Sequence, residues 1–247
     1  MYHKNLFLRV GLLALIVACV PPILSVGSRA AYLAAFGTLG AMFVFAKGRR
    51  VALLVVGVVG FYLLPTLYSG YFEKAKERVE YTFVATAGEE RFRLFERELI
   101  LEVSAATRYR MWKRMVTEWI PDHPFIGHGV TGVGLVDTQI PRVVGEVGLV
   151  GFYFWVAMLW GIGSRAWMLL KVVQDPTEKG VVFGFFCVLM GLLLQTLGVN
   201  TFIVVRIMEP FWFLSAIVMR LYVERTAPAE SPPTGPRVGS GLARAFT

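Results

Sequence analysis

Side chains able to do chemistry concentrate in one stretch, Asp122-His123-Pro124-Phe125-Ile126-Gly127-His128-Gly129-Val130-Thr131-Gly132-Val133-Gly134. Four glycines in eight residues give a backbone able to approach a ligand closely and to take left-handed conformations. His128 stands among them, and its imidazole accepts a proton near neutral pH, as a general base must. His123, set between Asp122 and Pro124, reads as a turn residue. The Gly-Lys-Ser/Thr of a nucleotide-binding loop is missing, which excludes that kind of phosphate cradle. Just downstream, Asp137, Arg142 and Glu146 add two carboxylates and a forked cation. Bland readings compete: a turn or capping aspartate and a helix-start glutamate favoured by the macrodipole.

An amphipathic helix is expected to precede this stretch, over 104–120. Ser104 or Thr107 can cap it, and Pro121 and Pro124 end it. Arg108, Trp112, Met115 and Trp119 recur at helical spacing and share one stripe. The stripe suits either a site wall or an interfacial helix with tryptophan at headgroup level. Earlier still, 71–103 reads as a highly charged helical segment. Pairs such as Lys76 and Glu80 at i,i+4 support it, and Thr86-Ala87-Gly88 interrupts it.

What must position these groups is a membrane-embedded scaffold. Hydrophobic residues make up 56% of the chain and charged ones only 17%, with a mean hydropathy of +0.61; soluble domains carry about a quarter charged residues. Apolar runs near the ~20-residue spanning length fall at 10–24, 30–46, 51–68, 147–170, 181–199 and 207–223. Several contain Gly or Pro (Pro21, Pro22, Gly57, Gly60, Pro65), which packed membrane helices tolerate. The fold expected is therefore an all-α polytopic bundle of about six transmembrane helices with one long, partly helical extracytoplasmic loop.

Lys47, Arg49 and Arg50, then Arg165, Lys171 and Lys179, together with Lys4, Arg9, Arg220 and Arg225, all fall on one side of such a bundle. The positive-inside rule makes that side cytoplasmic. Both termini are then cytoplasmic and the loop is periplasmic or extracellular. Four regions follow: helices one to three over 1–68, the loop over 69–146, helices four to six over 147–225, and a Pro-, Gly- and Ser-rich tail over 226–247 with the composition of a disordered segment. The loop holds 11 Lys/Arg against 12 Asp/Glu. The net charge of +8 is thus a matter of topology and is no argument for nucleic acid. Cys19 and Cys187 lie inside spans and imply no disulfide framework.

The order of features resembles the C-terminal half of the O-antigen ligase and polymerase family of bacterial membrane glycosyltransferases. Ser28-Arg29-Ala30 resembles the family's Ser-Arg-Gly/Ala element, and Arg108-Tyr109-Arg110-Met111-Trp112 its Arg-x-x-x-Trp. His123 through Gly129 resembles its His-Pro-x-x-Gly-x-Gly, and Glu146-Val147-Gly148-Leu149-Val150-Gly151 its Glu-x-Gly-x-x-Gly. The likeness covers about residues 25–220. Ligases of the family commonly carry His-Asn where this chain has Asp137-Thr138, nine residues before the glutamate; that departure tilts the resemblance toward a polymerase of exopolysaccharide or O-antigen type. Relatives usually have ten or more spans, so an N-terminal half or other polysaccharide assembly proteins are expected as partners.

The resemblance implies glycan transfer from a polyprenyl pyrophosphate carrier to the hydroxyl of a glycan or lipid acceptor at the outer membrane face. Charge building on the departing pyrophosphate requires placed cations, and the hydroxyl requires a base. The chain has three aspartates and no Asp-x-Asp pair, so neither a carboxylate-bound metal nor any other cofactor is expected. Arginine is the substitute, its fork matching phosphate oxygens. Outside the loop, Arg29 and Arg206 alone among the cations sit at outer span ends, against the charge bias. They and Arg108 are the expected clamp; snorkelling to headgroups, or a pair between Arg206 and Glu209, is the alternative. Asp137 is the first choice of base and His128 the second, with Glu146 orienting Arg142 or the acceptor. A non-enzymatic transporter or an accessory subunit of a polysaccharide assembly complex competes with the enzyme; convergence of the arginines and Asp137 on one pocket would separate them.

Overall fold

The computed structural model describes residues 6–25, 28–46, 69–70, 73, 76–77, 91–94, 97–100 and 103–226. The span expected at 51–68, the interruption at Thr86–Gly88, the Lys76–Glu80 pair and most of the tail lie outside the described residues.

Helices dominate. They are α1 (Leu6–Ser25), α2 (Arg29–Phe45), α3 (Val103–Arg114), α4 (Gln139–Val172), α5 (Pro176–Gln195) and α6 (Val205–Thr226). Five expected spans therefore coincide with helices. Among the described residues, α4 and α5 are long and apolar enough to cross a membrane, and α2 is a shorter apolar helix. At 1.5 Å per residue, the 20 residues of α5 reach about 30 Å, the thickness of a hydrocarbon core. Phe154 and Trp160 on α4 and Phe213 on α6 point outward, as side chains facing lipid do.

The charged segment departs from expectation in one place. Arg91–Leu94 (β1) and Arg97–Ile100 (β2) pair antiparallel, with Phe92 opposite Leu99 and Arg93 opposite Glu98. Arg91-Phe92-Arg93-Leu94 alternates polar and apolar residues, the period of a strand.

Two ends of the bundle can be told apart by their contacts. At one end the start of α2 meets the end of α5, where Ala30 lies by Gly198. There too the residues before α4 meet the α5–α6 turn, Asn200 N donating to the Asp137 carbonyl at 2.9 Å. At the other end Phe45 packs edge-on against Trp167 and Phe186, and Arg225 pairs with Glu178. Asp175 caps α5 there, accepting from the N–H groups of Thr177 and Glu178 at 2.9 Å each. The bond from Glu178 N–H is the largest influence holding its carboxyl below the usual aspartate range. The main core joins α4, α5 and α6 through Leu159, Leu169, Val182, Leu189, Phe211 and Val218.

The α2–α5 interface is built on small residues, the usual means of close helix approach in lipid. A methyl at Gly191 would overlap Thr38 Oγ1 and come within 2.6 Å of the Ala34 carbonyl. Gly191→Ala should accordingly destabilise the fold by about 1–3 kcal/mol, the usual cost of overpacking. Thr38→Ala in the same chain should restore little, because the backbone carbonyl remains. Thermal unfolding in detergent checks both; a double variant as stable as the wild type would remove the close-approach account.

Candidate active site

The centre of the site is a break in α4. Gly148 has φ 67° and ψ −173° inside the helix. An unbroken helix would bond Leu149 N–H to the Gly145 carbonyl and Val150 N–H to the Glu146 carbonyl. Here all four groups turn instead to the glycine-rich segment. Leu149 N donates to the Pro124 carbonyl at 2.8 Å and Val150 N to the Phe125 carbonyl at 3.3 Å. In return, His128 N donates to the Gly145 carbonyl and Gly129 N to the Glu146 carbonyl, each at 2.9 Å. Two segments distant in sequence thus satisfy each other's backbone, as buried peptide groups require. The glycine run is a strap fastened across the kink.

The glycines have distinct reasons. Gly127 has φ 67°, and a Cβ there would stand 2.6 Å from Gly148 N and 2.7 Å from the Glu146 carbonyl oxygen. A Cβ on Gly148 would collide with the Phe125 carbonyl in turn. These two positions admit no side chain on either count.

Side chains gather on the same frame. His128 Nδ1 lies 3.3 Å from the Gly145 carbonyl. With Nδ1 carrying the proton toward that oxygen, Nε2 is left as the basic nitrogen. His123 packs edge-on against it, ring centroids 4.8 Å apart. Glu146 Oε1 accepts from Arg142 Nε at 3.0 Å and from Thr131 N at 3.3 Å. His128, Arg142 and Glu146 are therefore brought together.

Below the kink, α3 passes through a π-helical segment, Met115–Trp119, into Ile120–Asp122. Met115 and Trp119 are buried with Val136 and Val144, and Trp119 lies over Gly145. Trp112 Nε1 donates to the Leu197 carbonyl at 3.4 Å. The expectation of tryptophan among headgroups is corrected for Trp119, which is buried against protein where Gly145 leaves room for its indole, while Trp112 is half-buried.

The remaining expected residues are placed one by one. Arg29 is half-buried as the first residue of α2, directly after Ser28, whose hydroxyl accepts from Ala31 N and so caps the helix. Arg108 is half-buried one turn before Trp112 on α3. Arg206 is exposed in the first turn of α6, and the alternative pair with Glu209 is not formed. Asp137 is exposed, and its carboxylate makes no bond to His128, Arg142 or Glu146 among the described residues. Sequence reasoning missed Gln139, buried with its Oε1 accepting from Phe202 N at 2.9 Å, and Asn200, whose Nδ2 donates to the Val136 carbonyl. Both fasten the α5–α6 turn to the start of α4. Helical backbone also starts at Gln139 rather than at 147, the expected span start, which falls one residue before the kink. Among the described residues no three His, Cys, Asp or Glu side chains group as metal donors.

Comparison with known proteins bears on this geometry. The family profile described as O-antigen ligase matches residues 10–147. That stretch holds most of α1, then α2, α3, the strap and the first part of α4, and it ends at the kink. No curated protein matches the chain. With more than half of the chain matched and two helices suited to crossing a bilayer, the chain belongs to the O-antigen ligase family, membrane proteins of glycan transfer.

Proposed function

We propose that the protein transfers glycan from a polyprenyl pyrophosphate carrier to an acceptor hydroxyl at the outer face of a bacterial cytoplasmic membrane. Six spans, two cytoplasmic termini and a periplasmic loop complete the reading, with a polymerase preferred to a ligase. The observation that carries it is the strap across Gly148, which holds an imidazole and a carboxylate-braced guanidinium on one rigid frame. Such a frame pre-orients a base and a cation, which is where enzymes gain most of their rate.

In this reading His128 or Asp137 takes the proton from the acceptor hydroxyl as it attacks the anomeric carbon. The bond from that carbon to the pyrophosphate oxygen breaks, and Arg29, Arg108, Arg206 and Arg142 neutralise the departing charge. Arg29 and Arg206 add a physical point. Each sits in the first turn of its helix, where the macrodipole disfavours a cation and favours an anion. A cation kept there joins the helix dipole in drawing the same anionic ligand. Of the two bases, His128 stands inside the frame and Asp137 is exposed beside it, so the histidine gains ground.

Reconstitution in proteoliposomes with a lipid-linked oligosaccharide tests the reaction. Transfer is expected to continue at an unchanged rate in excess chelator. Transfer abolished by chelator and restored by a divalent cation would overturn the arginine-only account.

A further inference from the structure

We infer that Glu146 is a positioning residue whose single carboxylate oxygen, shared between Thr131 N–H and Arg142 Nε, fixes the Arg142 guanidinium to the His128 strap. This deepens the reading of the site as a glycan-transfer centre and rests on it. Four observations carry the inference.

The first is burial. The Glu146 side chain keeps 13% of its surface exposed and Arg142 23%. A carboxylate so shielded is stable only where its charge and lone pairs are met, and removing one partner of a shielded pair leaves the other charge uncompensated. The order of the pair, arginine four residues before glutamate, is the weaker one for an isolated helix. Helix propensity therefore does not explain it.

The second is the anchoring of the strap. Beyond Gly129 the strap bonds mainly to itself, Gly132 N to the Gly129 carbonyl and Gly134 N to the Thr131 carbonyl. Among the described residues, Thr131 N to Glu146 Oε1 is the one hydrogen bond that fastens residues 130–134 to α4. The third is strain. Thr131 has φ 63°, a left-handed conformation that a β-branched residue adopts only when its surroundings hold it there. The Glu146 oxygen holds its N–H and Gly134 N its carbonyl.

The fourth is what remains on Arg142. Glu146 takes Nε, and the two terminal nitrogens make no hydrogen bond among the described residues. A guanidinium held by Nε presents its outer nitrogens together, the edge that grips two oxygens of a phosphate. The Glu146 backbone carbonyl meanwhile holds Gly129 N. One residue thus brackets His128 and sets its distance from the cation. The backbone bonds hold the strap as far as Gly129, and the Glu146 carboxylate ties Thr131 and Arg142 to that frame.

The test uses the full chain in lipid nanodiscs, with inorganic pyrophosphate as the probe and deuterium exchange over 128–134 as an independent readout. Glu146→Ala is expected to weaken pyrophosphate binding at least tenfold, as Arg142→Ala does, and the double variant to be no worse than Arg142→Ala alone. Glu146→Ala should also raise exchange at Thr131, whereas Arg142→Ala should not. Glu146→Gln keeps an oxygen acceptor at the same place and should recover most of the Thr131 protection, which also guards against a variant that merely misfolds. Losses that multiply in the double variant, or unaltered pyrophosphate affinity and Thr131 exchange in Glu146→Ala, overturn the positioning role alone. A wild-type protein that binds no pyrophosphate and transfers no glycan sinks the parent reading, and this one with it.

Discussion

Gly148→Ala is expected to abolish glycan transfer while leaving membrane insertion intact. Two costs combine. An L-residue at φ 67° and ψ −173° stands in a region nearly reserved for glycine and loses about 1–3 kcal/mol, and the new methyl meets the Phe125 carbonyl, a backbone group with Gly127 N close behind it. Overpacking against such a neighbour adds about 1–3 kcal/mol. The cheapest escape is to restore the helix: alanine at 148 takes helical angles, Leu149 and Val150 bond to Gly145 and Glu146, and the strap is released. A penalty of about 2–6 kcal/mol corresponds to a roughly 30- to 20,000-fold loss of the fastened state. Gly129 is the control. It has φ 82° with open space around its missing side chain, so Gly129→Ala carries the conformational cost without the collision and should lose far less. Deuterium exchange at His128 and Gly129 should rise sharply in Gly148→Ala, and transfer should fall with it. Protection and activity both unchanged would mean that the bond exchange does not hold the site.

That exchange also marks the limit of what the residues betray on their own. The apolar runs announced α1, α2, α4, α5 and α6 because lipid demands length and hydrophobicity of each helix separately. The Arg142–Glu146 pair was legible for a similar reason, being one helical turn apart. The kink was not. It depends on four backbone groups whose partners lie some twenty residues away, and the glycines reveal only that something comes close. The stripe of Trp112, Met115 and Trp119 was seen but given two possible partners, since an indole shows the same helical period whether protein or headgroups cover it. Gln139 and Asn200 gave no local signal at all; their role exists only once α5 has returned to the start of α4. The pairing of Arg91–Leu94 with Arg97–Ile100 was hidden by its charge, which suits a helix as readily as a ribbon. His128 and Glu146 proved to share a frame with Arg142, whereas the neighbours of the distant arginines contact the end of α5 and the turn after it: Ala30 lies beside Gly198, and Trp112 donates to the Leu197 carbonyl.

Those distant arginines give the most severe expected result. Arg29→Ala and Arg108→Ala should each stop glycan chain extension, with the protein still inserted and folded. The leaving pyrophosphate gains negative charge as its bond to the sugar breaks, and a low-dielectric site near the membrane face makes each charge-assisted bond to it strong. Removing one placed donor to a developing anion typically costs about 10²–10³ in rate. Ser28 caps α2 through its hydroxyl, so the helix start survives the loss of Arg29. The helix dipole, however, is left to face the anion without the cation. Lysine tells the two possible roles apart. A residue that only snorkels to headgroups works as well with an ammonium, so Arg29→Lys would be silent. A bidentate grip loses its second bond and should remain well below wild-type turnover. Glycan chain lengths resolved by gel electrophoresis provide the measurement. Normal chains from both alanine variants would remove these two arginines from the reaction, leaving the cationic role to Arg142 on its brace and to Arg206.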